Sequence, residues 1–149
     1  MRDRDVRNAI QAALTATGNF NAVHVWGLPA DYGSGSSEQA AAWIVPQSSR
    51  QEDLWDAAPA GGLVITSRLG ITLLNRNDDP QLRDEGAELL LDTTANALNG
   101  QSLAGLTFNQ TTRITQWDWQ PPASAERRIQ AILTYQYIVE GWDEYDVSP

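Results

Sequence analysis

The sequence predicts an α+β domain: a mixed, mostly antiparallel sheet of about four to five strands with two helices packed on one face. Three observations predict it. Val6, Ile10, Ala13 and Leu14 recur at helical spacing near the N-terminus. An Asp79-Pro80 pair opens a second, leucine-rich helical stretch. Apolar residues alternate with period two in residues 63–74 and again in 127–139. A period of 3.6 marks one buried stripe on a helix, and a period of 2 marks one buried face of a strand. Two helices interspersed among such strands bury their stripes together against one side of the sheet.

Each element follows from local chemistry. Residues 3–16 read as the first helix, with Arg4, Arg7, Asn8 and Gln11 on its polar side and Gly18-Asn19 as its stop. Ala22 to Leu28 reads as a short strand, and Pro29 to Ser37 as a Gly/Ser-dense loop continuing to about residue 39. Ala40 to Val45 is the next strand. Pro46 to Gly62 reads as a second long loop, and loops of that length in a compact domain are commonly functional. In the strand 63–74, Leu63, Ile65, Leu69, Ile71 and Leu73 share one parity that only Ser67 interrupts. Asp79 as N-cap and Pro80 at the first helical position start the second helix, Asn99-Gly100 ends it, and Leu82, Gly86, Leu89, Leu90, Thr93 and Ala97 trace its expected buried stripe. Leu106 to Trp119 and Arg127 to Val139 form a closing strand pair across the Gln120 to Ser124 connection. The whole of residues 1–149 reads as one domain, with long loops near 29–39 and 46–62.

Composition bounds the chemistry. The net charge is −9, every cation is an arginine, and there is no lysine. An acidic domain repels phosphate backbones, which argues against sequence-specific nucleic-acid binding. Without cysteine, disulfides and thiolate metal sites are excluded. No run approaches the roughly 18 apolar residues that span a bilayer, so no membrane partner is expected, and the charged start does not read as a signal peptide. Folding in a reducing cytoplasm is the expectation.

Catalytic patterns are sparse. The single histidine, His24, lacks the serine or cysteine partner of a nucleophilic system. Asp78-Asp79 is explained as a helix cap, and the acidic run Asp143, Glu144, Asp146 has no EF-hand spacing. No glycine-rich phosphate loop is present. No cofactor, metal or catalytic residue is expected. The six tryptophans are the more informative residues, because tryptophan and arginine dominate interface hot spots. Trp117 and Trp119 lie two apart on one strand, near Arg113, Arg127 and Arg128; with Trp55 and Trp142 these are the candidate interface residues. Packing of one indole face on the core, with solvated arginines, is the competing reading.

The first-helix run Arg7-Asn8-Ala9-Ile10-Gln11-Ala12-Ala13-Leu14, the second-helix run from Arg83 to Leu98, and the closing Ala131-Ile132-Leu133-Thr134-Tyr135-Gln136-Tyr137 follow one another in an order that resembles the tail-terminator (tail-completion) proteins of long-tailed bacteriophages. The resemblance implies a non-enzymatic virion structural subunit, assembled in the host cytoplasm and located in the tail or neck. It implies a closed homo-oligomeric ring, usually a hexamer, that caps the tail tube protein, meets the neck/connector protein, and lets DNA pass without sequence-specific binding. Another neck or head-completion adaptor, or a minor tail protein, fits the same pattern. A small enzyme or ligand-binding domain lined by His24, Trp26, Tyr32 and Trp43 is the alternative of a different class.

Overall fold

The computed structural model describes residues 2–27, 39–52, 63–105, 107–108, 110–122 and 125–139. Helix α1 (Arg2–Ala16) is followed by strands β1 (Ala22–His24), β2 (Ala40–Glu52) and β3 (Leu63–Arg76), then helix α2 (Pro80–Leu98). A 3₁₀ turn (Leu103–Gly105) leads to β4 (Arg113–Trp119) and β5 (Glu126–Val139). The five strands form one sheet in the order β1-β2-β3-β5-β4, with β1 parallel to β2 and every other pair antiparallel. The α+β architecture expected from sequence is therefore the one observed. No described helix is long and apolar enough to cross a membrane.

Both helices lie on the same face of the sheet. Val6, Ile10 and Leu14 of α1 and Ala87, Leu90 and Leu98 of α2 join Ile65, Leu69, Ile71 and Leu73 of β3 and Ile129, Ala131 and Leu133 of β5 in one core. Burial of such side chains contributes on the order of 1.5–3 kcal/mol each. On the opposite face Ala41, Trp43 and Leu74 form a second, smaller apolar group.

Ser67, the polar interruption in β3, is buried for a reason. Its hydroxyl donates to Asp3 Oδ1 at 3.2 Å, and the Tyr135 hydroxyl donates to the same oxygen at 2.7 Å. The first turn of α1 is thus clasped to β3 and β5.

Three boundaries and the orientation of one helix differ from expectation. First, β1 ends at His24 and not at residue 28. Second, β2 runs on to Glu52, so residues 46–52 are strand where a loop was expected. Pro46 is accommodated because a register shift lies between Pro46 and Ser48, and β1 pairs only with Ala41, Ala42 and Trp43. A proline is tolerated beside such a bulge because its missing N–H breaks no ladder bond there. Third, the described residues between 107 and 112 are not strand: Thr107 makes an isolated bridge to Tyr137, and its hydroxyl accepts from Leu103 N and Thr112 Oγ1. Fourth, α2 is rotated about its axis relative to the expected stripe. Ala87, Leu90, Thr94 and Leu98 face the core, while Leu82 and Leu89 are 52% and 56% exposed. Leu89-Leu90-Leu91 offers an apolar residue to each of three directions, so period alone does not choose among them. The predicted cap holds: Asp79 Oδ1 accepts from Gln81 N at 2.9 Å and Leu82 N at 3.4 Å.

Candidate interface site

The site is built on β4, an edge strand. A register shift between Ile114 and Gln116 leaves Thr115 as an extra residue. Such a bulge reverses the alternation beyond it. Ile114 pairs with Leu133, and beyond the bulge Trp117 pairs with Ala131 and Trp119 with Ile129. All three partners belong to the core-facing parity of β5, so the bulge brings both tryptophans onto the helix-bearing side. An uninterrupted strand would have turned them away from Ile114.

That side of β4 is only partly covered by α2. Trp117 stays 53% exposed and Trp119 38%. Trp119, Arg127 and the α2 residues Gln81, Asp84, Glu85 and Glu88 line an open cleft of about 480 Å³. The Arg127 guanidinium carbon sits 4.9 Å over the Trp119 ring, and its Nε lies 3.6 Å from Asp84 Oδ1. The cation thus rests on an indole face and beside a carboxylate, two attractions that suit a planar guanidinium. At the far end of the strand, Ile114 N donates to Asn99 Oδ1 at 2.7 Å. Between these two contacts β4 runs antiparallel to α2.

Asp84, Glu88 and Asp92 follow at i, i+4 and i+8 on α2, all exposed. Like charges at i, i+4 oppose the helix by roughly 0.2–0.5 kcal/mol per pair. Among the described residues, Arg127 offsets this at Asp84. The carboxylate row was not among the expected site residues, although its four-residue spacing is visible in the sequence.

The structure divides the candidate arginines between two faces. Arg127 joins the tryptophans. Arg128 lies on the other side of β5, 3.1 Å from Glu126, which also pairs with Arg76 at 2.6 Å. Arg113 is opposite Thr134, again on the face away from the helices, and donates to Gln110 O at 2.7 Å. Arg68 of β3 is opposite Thr134 from the other side. Trp55 and Trp142 lie outside the described residues, as do Tyr32, Leu28 of the expected first strand, and residues 29–38 and 53–62 of the two expected loops.

The three described residues of the small-ligand alternative are His24, Trp26 and Trp43. His24 stacks on the buried Trp43 at 5.2 Å, on the sheet face away from the helices. Trp26 instead lies under the Arg7 guanidinium of α1, at 4.7 Å. Among the described residues no group of three or more His, Asp or Glu side chains converges as a metal would require.

No protein-family model matches the chain, and no curated protein sequence matches it. Among solved structures, the fold is shared with a chain of the particle named "Virion of native gene transfer agent (GTA) particle". The likeness covers 88% of this chain and 86% of that one, with a TM-score of 0.58 and 14% sequence identity. At that identity the likeness is one of fold.

Proposed function

We propose that this protein is a structural subunit of a phage-like virion, acting as a tail terminator: a homo-oligomeric ring, hexameric by analogy, that closes the tail tube and joins it to the neck. The observation that carries this reading is the fold shared over 88% of the chain with a gene transfer agent virion chain. The exposed Trp117 and Trp119 support it, since large apolar side chains left at the rim of a cleft mark contact surfaces. The net charge of −9 also suits a lumen through which DNA moves without sticking.

Mechanism in such a subunit is geometric. Heterologous contacts between neighbours close a ring, and the two rims meet different partners. The purified protein is expected to run as a ring by light scattering and negative-stain microscopy, alone or on addition of tail tubes. A strict monomer under both conditions would sink the proposal. A role as neck adaptor predicts a ring as well, and loss of the gene separates the two: headless tails of uncontrolled length point to a terminator, full heads without tails to the neck.

A further inference from the structure

We propose that neighbouring copies join through two oppositely charged surfaces on opposite sides of the sheet: the carboxylate row of α2 on one copy receives Arg68 and Arg113 of the next. This rests on the ring reading above and names the contact that would close it.

The receiving surface is described by its chemistry. Glu88 and Asp92 are exposed and lie in a row of like charge with Asp84. Glu88 lines the cleft that also holds Trp119, and Trp117 on the same side of β4 has half its surface open. Carboxylates beside an indole face form a receptor for a guanidinium, and Arg127 on Trp119 and Asp84 already displays this arrangement within one copy.

The donating surface lies on the face without helices. The register Arg68–Thr134–Arg113 sets two exposed arginines in one row across β3, β5 and β4. Two strand spacings separate them by about 10 Å at Cα. Along α2, Glu88 and Asp92 are about 6 Å apart at Cα, a difference that two long arginine side chains span by converging. Among residues with described side chains, this face holds Arg68, Arg76, Arg113 and Arg128 against the two carboxylates Asp118 and Glu126, and Glu126 is engaged by Arg76 and Arg128. A chain of net charge −9 thus keeps an arginine-rich face opposite an acidic one. Complementary patches on opposite sides of a subunit give a head-to-tail contact, the kind that generates rings.

The test uses two charge-reversed forms of the full chain: Glu88→Arg with Asp92→Arg, and Arg68→Glu with Arg113→Glu. Thermal melts first establish that each is folded; a form that melts early is replaced by its neutral counterpart with Gln or Asn. Each form alone is expected to self-assemble at least tenfold more weakly than the parent by light scattering. An equimolar mixture of the two reversed forms is expected to co-assemble, because each supplies the charge its neighbour lacks. Assembly of either form alone at parental strength, or a mixture of folded reversed forms that stays monomeric, overturns this pairing while leaving the ring intact. A parent that never assembles overturns the ring reading itself.

Discussion

The Tyr135 hydroxyl shows what a single residue contributes when it is buried beside a charge. Its proton is held by the Asp3 carboxylate at 2.7 Å, and its pKa is raised well above the ordinary 10.0, by burial first and by Asp3 second. The sign follows directly. A folded-state pKa above the unfolded value means a contribution that is complete below pH 10 and is lost as pH climbs beyond it, with a limiting slope of about 1.4 kcal/mol per pH unit. Tyr135→Phe is therefore expected to lower stability at neutral pH by about 1.5–3 kcal/mol, the range for hydrogen bonds to charged groups, and to flatten the alkaline decline. Urea titrations at pH 7 and pH 10.5 measure both; an unchanged alkaline limb in the Phe variant would rule out this origin. Sequence could place Ser67 and Tyr135 on the buried parity, yet it could not pair them with Asp3, since nothing local links residue 3 to residue 135.

Among the elements, α2 carries most of the lesson. Its ends were legible because caps are local: Asp79, Pro80 and Asn99-Gly100 act within a few residues of themselves. Its rotation was not, because three consecutive leucines satisfy several stripes and the sheet selects one. Gly86 records that selection. A Cβ there would lie 2.1 Å from Asn75 Nδ2, whose amide donates to Arg83 O at 3.0 Å. Alanine ordinarily favours a helix over glycine by about 1 kcal/mol. Here Gly86→Ala is expected to destabilise by a net 1–2 kcal/mol or so, since the methyl displaces a buried amide. Adding Asn75→Ala should recover part of the loss in thermal melts, and a stabilising single substitution would show that α2 sits differently. The same contrast holds for β4. Its tryptophans were found by composition, whereas the bulge at Thr115 that brings them beside α2 has no turn residue to announce it.

For the whole molecule, the α+β class was legible because helical and strand periods alternate cleanly along the chain. The division of charge between the two faces was not, because it depends on which parity of β3 and β5 the helices cover. In the proposed ring that division separates assembly from folding. Trp117→Ala is expected to lower the stability of the protomer by no more than about 1–2 kcal/mol, because half of the side chain is exposed. Self-association should weaken at least several-fold, as sizing across a dilution series would reveal. A large loss of protomer stability would instead make Trp117 a core residue.

The sheet order has a further effect on how such a protomer is made. β5 lies between β3 and β4, although it is the most C-terminal of the five strands. Until it emerges, β3 has no neighbour on that side, Asp3 has no tyrosine to hold, and β4 has no partner at all. A ribosome that stalls early releases a chain without the Arg68–Thr134–Arg113 row. Such a chain also lacks the pairing that holds β4 to the sheet.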